Sequence, residues 1–424
     1  MDPTVIIGGG PAGALAALAV TRHGGREVVV VDPSAALGRG SAYATREPLH
    51  LLNSRAGTMS AHPSDPGDFA AWARCRDDAF LPRGVFGDYL ADRVGSVPAV
   101  ARHALRVRPA GGRWAVDLSD GAVVRASDVL IAVGPAPPVY PSAASVGVRG
   151  APGYVAVPWT PGALDRIRPT DRVLLLGTGL TAVDVVLSLL ARGHRGPIVA
   201  VSRHGLLPRA HADLPTPVAP SGIDATGLRE LLRVLRASAD WRATVDALRP
   251  RADQVWSGLT LDEQRRFLRH LARYWEVHRH RCAPAVAAAV AAARSSGALT
   301  VAATRVAAIR TAPRGFDVTL TGRSTAFDAV VNCTGPGHPA GIPLVRSLVA
   351  DGLARADPLA LGIDVDPAGR PVARDGRPTE GLYVLGSLRR GRWWETTAIP
   401  EIRAQAYAVA SRAVEGLPQA SIHR

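Results

Sequence analysis

The chain has 424 residues, 47% of them apolar, and a formal net charge of +14. Length and apolar share suit a globular protein of two or three packed domains and exclude a disordered or fibrous chain. All 50 basic residues are arginine, scattered through an alanine-, glycine- and proline-rich sequence without a basic block, so the charge reads as compositional bias and not as a nucleic-acid face; the lack of lysine also removes Schiff-base and lysine-base chemistry.

The apolar run Val5-Ile6-Ile7 meets Gly8-Gly9-Gly10-Pro11-Ala12-Gly13, which opens a small-residue stretch. This predicts a strand, a glycine elbow and a helix, the context in which bare amides at a helix N-terminus hold a pyrophosphate. Gly8, Gly10 and Gly13 are the expected contacts. The next strand, Val28-Val29-Val30-Val31, ends on Asp32, about 20 residues past the elbow, where a carboxylate accepts hydrogen bonds from both ribose hydroxyls. A carboxylate there repels a 2′-phosphate, so this site suits FAD or NAD and not NADP. A glycine-punctuated loop follows with His50 and Asn53. Asn53 is a candidate partner for a flavin edge or a nicotinamide. His50, with its ordinary pKa near neutral, is a candidate proton relay. Bracing of the loop is the competing role for both. The runs Trp114–Leu118 and Val129–Val133 read as strands that extend this first sheet, the second closing on Gly134-Pro135.

Prolines and glycines between Pro135 and Gly162 predict a connection between domains. A second strand, elbow and helix run from Arg172 through Gly177-Thr178-Gly179-Leu180-Thr181 to about Arg192. The strand after it ends in Ser202-Arg203-His204 instead of an acid, and Arg203 can pair with a 2′-phosphate. The second site therefore reads as NADPH, with Gly177, Gly179, Thr181 and Arg203 as contacts. Two dinucleotide sites in one chain imply electron transfer between them. Residues 224–300 read as helical and hold a dense cluster of Tyr274, Trp275, His278, His280 and Arg281. The two histidines do not share a helix face and no carboxylate stands at ligand spacing, so the expectation there is no metal but a lid or a nucleotide-phosphate contact, with a solvated helix surface as the alternative. Strand signals return at Phe316–Leu320, Ala329–Asn332 and Leu382–Leu385, and a final helix is expected from Pro400. Cys75, Cys282 and Cys333 form no CxxC pair, no apolar run reaches the length of a bilayer span, and the first strand begins too early for a secretory leader. The expectation is a reduced, cytoplasmic protein that neither binds nucleic acid nor enters a membrane. The sequence sets no oligomeric state.

Several motifs carry a family resemblance. They are Gly38-Arg39-Gly40-Ser41-Ala42-Tyr43, His50-Leu51-Leu52-Asn53, Gly179-Leu180-Thr181-Ala182-Val183-Asp184, Ser202-Arg203-His204-Gly205-Leu206-Leu207-Pro208-Arg209, Asn332-Cys333-Thr334-Gly335-Pro336 and Trp394-Glu395-Thr396-Thr397-Ala398-Ile399-Pro400-Glu401-Ile402-Arg403. In these the chain resembles bacterial FAD/NAD(P)-binding oxidoreductases related to the N-hydroxylating and Baeyer-Villiger flavin monooxygenases. Two departures are visible: Asn53-Ser54-Arg55 stands where the family tends to have Asn-Val-Pro, and Ala182 where it tends to have Met.

The resemblance implies an α/β fold of two Rossmann-like, glutathione-reductase-like domains, the NADPH domain inserted in the FAD domain. The expected division is 1–160 for the first part of the FAD domain, 161–325 for the NADP domain with a helical insertion at about 224–300, and 326–424 for the rest of the FAD domain. It further implies that Arg39, Ser41, Gly134, Gly335, Gly386 and Thr396 join the cofactor-binding set, and that Trp394 and Glu395 stand with His50 and Asn53 around the reacting centre. The implied activity is that of an FAD-dependent, NADPH-consuming monooxygenase. It would activate O₂ at the flavin C4a and pass one oxygen to a small molecule, such as an amine or nitrogen heterocycle. A flavin-dependent dehydrogenase or reductase, or a non-catalytic flavin-binding protein, are the alternatives. Arg55, Arg83 and Arg281 flank the expected pocket segments and hint at an anionic or amine-bearing substrate.

Overall fold

The computed structural model describes residues 2–24, 27–34, 36–212 and 227–415. From the N-terminus, β1 (Thr4–Ile7) leads through an elbow into α1 (Pro11–His23) and β2 (Val28–Val31). Helices α2 (Gly40–Tyr43), α3 (Asp68–Trp72) and α4 (Arg83–Val94) precede β3 (Ala99–Val100), β4 (Ala104–Ala110), β5 (Arg113–Leu118), β6 (Val123–Ala126) and β7 (Asp128–Ile131). The chain then forms β8 (Tyr154–Val155), β9 (Val173–Leu176), α5 (Leu180–Ala191) and β10 (Ile198–Ser202). A helical segment follows: α6 (Leu228–Ala237), α7 (Trp241–Leu248), α8 (Ala252–Gly258), α9 (Leu261–His270), α10 (Ala272–Arg279) and α11 (Pro284–Ser295). The last elements are β11 (Leu299–Ala303), β12 (Val306–Thr311), β13 (Phe316–Leu320), β14 (Arg323–Phe327), β15 (Ala329–Asn332), α12 (Pro343–Ala350), β16 (Leu382–Val384) and α13 (Ile399–Glu415).

Two parallel sheets organise these elements. The first has the order β16-β7-β1-β2-β3 and the second β11-β10-β9-β15-β8. Their central strands β1, β2, β9 and β15 are short runs rich in Val, Ile and Leu because both faces of those strands are covered, which favours β-branched side chains. In each sheet the strand before the glycine elbow is internal, and its neighbours continue in opposite directions along the sheet. That is the switch point at which doubly wound sheets open a crevice. A tight helix pair, α1 against α13, covers the first sheet through Ala16, Val20, Ala406, Val409 and Ala410.

The structure revises two strand assignments. β5, expected to extend the first sheet, pairs antiparallel with β4 and β6 in a separate three-stranded layer. Its Trp114, Val116 and Leu118 pack into the core on one face, while the pairing with β4 and β6 is what sets it apart from the parallel sheet. β15, expected in the C-terminal part of the first domain, hydrogen-bonds to β9 and β8 inside the second sheet. β8 itself falls within the stretch expected to belong to the first domain. Single apolar strands carry no label of the sheet they join; the register with β9 does.

The helical segment has its own core, with Leu228, Leu231, Leu248, Trp256 and Phe267 packed around Trp394 from the C-terminal arm. Thr260 and Glu263 form a reciprocal capping box at α9, which satisfies two otherwise open amides there. Residues 224–226 of the expected helical stretch lie outside the described residues. Among the described residues no helix is long and apolar enough to cross a membrane.

Candidate dinucleotide-binding site

The two elbows are built alike. Gly8 has φ +104°, and a Cβ there would overlap the carbonyl oxygen of Ala132 at the end of β7. Gly177 has φ +125°, and a Cβ there would overlap the carbonyl oxygen of Cys333 at the end of β15. Each elbow is thus pressed against the neighbouring strand in a conformation that only glycine adopts without strain. Gly10 and Gly179 then occupy the N-cap positions of α1 and α5 with extended backbones and no side-chain cap, and neither first turn holds an acid. The leading amides of both helices stay open, and the helix dipole favours an anion in front of them. Gly13 and Thr181 sit in these first turns.

Around the first elbow, Asp32 Oδ2 accepts from Gly9 N at 2.7 Å, and Oδ1 accepts from Ser34 N and Oγ at 2.9 and 2.6 Å. The carboxylate is held at the elbow and keeps further lone pairs able to accept hydrogen bonds. The Arg39–Tyr43 segment, including Ser41, crosses over the N-terminus of α1, where Gly40 approaches Gly10. Arg39 pairs with Asp88, while its Nη1 is buried without an acceptor. Gly386 (φ +70°) lies beside Ala12 and donates its N–H to Gln405 Oε1 at 3.0 Å. Fully buried Thr396 donates to the Gly386 carbonyl at 3.2 Å and accepts from Gln405 Nε2 at 2.7 Å. An orphaned buried donor and an uncapped helix N-terminus fit an anionic diphosphate.

The second elbow opens into a cavity of about 1030 Å³. Its floor is Gly177–Thr181. Its walls are Ser202–His204, Thr304–Arg305, and two side-by-side connections, 135–143 and 333–339. Those connections are joined by Asn332 Nδ2 donating to Val139 O at 3.0 Å; Gly134 and Gly335 make the turns that begin them. Thr178 Oγ1 and Ser202 Oγ lie 2.9 Å apart, and Gly205 N donates to Ser202 Oγ at 3.0 Å. This turn leaves Arg203 exposed at the end of β10. Arg305 is beside it because β11 pairs with β10, and neither guanidinium has an ion-pair partner among the described residues. Both line the cavity, as the sequence leads one to expect for Arg203, whereas no local pattern marks Arg305. Nor does one mark Arg273 and Arg390, which line the same cavity.

Three expected site residues, His50, Trp394 and Glu395, do other work. His50 is 6% exposed; its Nδ1 meets Thr45 Oγ1 at 2.9 Å and its Nε2 meets Ser188 Oγ at 2.8 Å. Both ring nitrogens are engaged, so His50 braces the first domain's loop against α5 and is not free for a relay. Burial, opposed by Asp184, holds its pKa below the ordinary value. Asn53 lies in the same loop, its carbonyl accepting from His211 Nε2 at 2.9 Å. Trp394 is 6% exposed, 4.9 Å from the Trp256 ring and 5.0 Å from Phe267, a core residue and not a pocket wall. Glu395 accepts from Trp275 Nε1 at 2.9 Å and pairs with Arg279 at 3.1 Å, which ties the helical segment to the C-terminal arm. The three flanking arginines are also engaged internally: Arg55 donates to Asp78 O and Ala212 O, Arg83 pairs with Asp184, and Arg281 pairs with Asp246. Within the 274–281 cluster, His280 reaches the cavity, and Tyr274 lies 5.9 Å from the His204 ring beside it.

One carboxylate in this seam carries a stability prediction. Burial, with Glu395 and Glu401 nearby, pushes Asp253 up to about 6, against a hydrogen bond from Glu395 N. A folded pKa above the unfolded one favours folding only below the unfolded value, and that gain is lost as pH rises through 6. Asp253→Asn should therefore raise stability by about 1–2 kcal/mol at neutral pH and leave it unchanged near pH 4. Denaturant titration at the two pH values checks this.

The fold is a pair of Rossmann-like α/β domains, each with an open glycine elbow at its switch point. Residues 5–136 match the family model described as FAD-NAD(P)-binding. No curated protein sequence matches the chain. An ornithine N-hydroxylase from Kutzneria sp. 744, solved with reduced FAD, NADP+ and L-ornithine, aligns over 98% of this chain and 99% of its own, with TM-score 0.68 and 17% identity. The reduced ornithine hydroxylase of Pseudomonas aeruginosa covers the same shares with TM-score 0.66 and 15% identity. Thioredoxin reductase from Lactococcus lactis covers 98% of both chains with TM-score 0.56 and 14% identity. The chain has the fold of the two-domain FAD/NAD(P) flavoproteins.

Proposed function

We propose that this chain is an FAD-dependent, NADPH-consuming monooxygenase that oxygenates a small molecule, with an amine or nitrogen heterocycle as the substrate class. The observation that carries this reading is the pair of uncapped glycine elbows at the switch points of two parallel sheets in one chain. In this reading the open amides of α1 hold the FAD pyrophosphate with Gly8, Gly10 and Gly13, and Asp32 takes the ribose. Arg39, Ser41, Gly134, Gly386 and Thr396 complete that cradle. Gly177, Gly179 and Thr181 hold the NADPH pyrophosphate, Arg203 takes the 2′-phosphate, and Gly335 shapes the wall between them. Bound flavin supplies hydride acceptance and oxygen activation. The protein's part is orientation, charge and exclusion of water.

The fold alone also accommodates disulfide reductases. The thiols argue against that chemistry here. Cys75, Cys282 and Cys333 are unbridged, and burial raises the pKa of each. A thiol held protonated is a poor nucleophile for disulfide exchange. Unbridged cysteines also suit a reducing, cytoplasmic setting.

The test is NADPH oxidation by FAD-reconstituted protein with and without O₂, in the presence of free amines such as L-ornithine. The expected result is rapid anaerobic bleaching of the flavin by NADPH. With a true substrate, NADPH oxidation should require O₂ and yield oxygenated product without matching peroxide. Steady turnover that is unchanged without O₂ would replace the monooxygenase with a dehydrogenase, and no bleaching at all would leave a flavin-binding protein without this chemistry.

A further inference from the structure

The face of α10 that meets the nucleotide cavity carries Arg273, Glu276 and Val277, with His280 at its C-terminal cap, a helical spacing that aligns them. Glu276 holds two arginines, accepting from Arg273 Nη1 at 2.6 Å and Arg390 Nη2 at 3.2 Å. Glu276 is the single carboxylate among the described lining residues, against Arg203, Arg273, Arg305 and Arg390. His280 lines the same cavity, and its ring has no hydrogen-bond partner among the described residues. The charges that bear on it are Arg279 and Glu276 on its own helix and Arg390 and Glu395 on the C-terminal arm packed against that helix.

We propose that His280 is the proton acceptor of the nucleotide cavity: binding of the anionic dinucleotide loads a proton onto its ring, and turnover draws on that proton. The need for one follows from the balance NADPH + H⁺ + O₂ + substrate → NADP⁺ + oxygenated substrate + H₂O, in which one proton enters per cycle. This use rests on the monooxygenase reading; the loading step itself needs only that the cavity take a dinucleotide.

The physical cause is local. In the free protein, burial first and then Arg279 and Arg390 hold the imidazole down at about 4, so it is neutral at ordinary pH. Phosphates arriving among the cavity arginines oppose the positive potential at the ring and favour its charged form, raising its pKa above the free-protein value. A pKa higher in the complex than in the free protein means that binding takes up protons. Affinity then tightens as pH falls from the complex's pKa to the free one, and is flat outside that window.

Calorimetric titration of the FAD-loaded protein with NADP⁺ near pH about 5.5, in buffers of different ionisation enthalpy, reads the proton count directly. The wild type should take up a substantial fraction of a proton more than His280→Gln, with His280→Asn as a second replacement. Relative to either variant, wild-type affinity should tighten by up to about tenfold per pH unit through the window. His204→Gln, which alters another cavity histidine, should keep the wild-type difference. Equal uptake in wild type and both His280 variants would overturn the proposal while leaving the nucleotide site standing. Failure of the wild type to bind NADP⁺ would overturn both.

Discussion

Arg83→Ala should destabilise the protein by about 3–5 kcal/mol, because it leaves a buried carboxylate without its counter-charge. Asp184, on α5 of the second sheet's layer, is 2% exposed, and Arg83, the first residue of α4, meets it through two nitrogens at 2.6 and 3.2 Å. Arg83 Nε also donates to Leu51 O at 3.1 Å. Close by, His50 bridges to Ser188, and Leu51 and Phe80 pack into the second sheet's core. One guanidinium thus anchors a seam in which both apolar and polar groups cross between the two sheet layers. Burial already pushes the Asp184 carboxyl up, and Arg83 is the largest opposing influence. Without Arg83 that carboxyl should rise further, so the variant's deficit relative to wild type should be largest at high pH and shrink as acid neutralises the group. Chemical denaturation of wild type and variant across pH tests both size and sign. Replacing both partners by apolar residues of similar volume should cost far less than removing Arg83 alone. A deficit below about 1 kcal/mol, independent of pH, would show that the pair is not the anchor described.

Replacing Arg203 and Arg305 together with alanine should weaken NADPH by about 10- to 150-fold while leaving NADH within about twofold. A charge-assisted hydrogen bond to a phosphate is worth about 1.5–3 kcal/mol, and because both guanidiniums are exposed and screened by solvent the pair together is expected to supply about that much. Both are exposed at the cavity and lack ion-pair partners among the described residues, so neither must first be detached from a carboxylate. The selectivity arises because NADH lacks the 2′-phosphate and gains nothing from either arginine. Rates of flavin reduction against concentration of each nucleotide measure the ratio, and competition by 2′,5′-ADP isolates the phosphate end. Equal losses for both nucleotides would mean that the arginines shape the turn and do not read the phosphate.

The glycine elbows, Asp32 and Arg203 are legible in sequence because each depends on a local constraint. Gly8 and Gly177 must adopt a backbone that a side chain forbids, and the acid or arginine follows at a spacing set by one helix and one strand. On α10 the sequence marks His280 within its polar-aromatic cluster, while Arg273, Glu276 and Val277, which share its face at helical spacing, are settled by the packing of that helix against the cavity, and Trp275 holds Glu395.

What the amino-acid order determined by itself is therefore the pair of glycine elbows, the parallel strands that feed them, and an acid after one elbow against an arginine after the other. Only the tertiary structure decided that Trp394 is core, that His50 and Arg83 join the layers, and that Arg305 stands beside Arg203. Those roles belong to pairs such as Arg83 and Asp184, 101 residues apart, or Trp275 and Glu395, 120 apart. Local propensity acts over a few residues and cannot specify such partners; strand register and the packing of distant buried surfaces do.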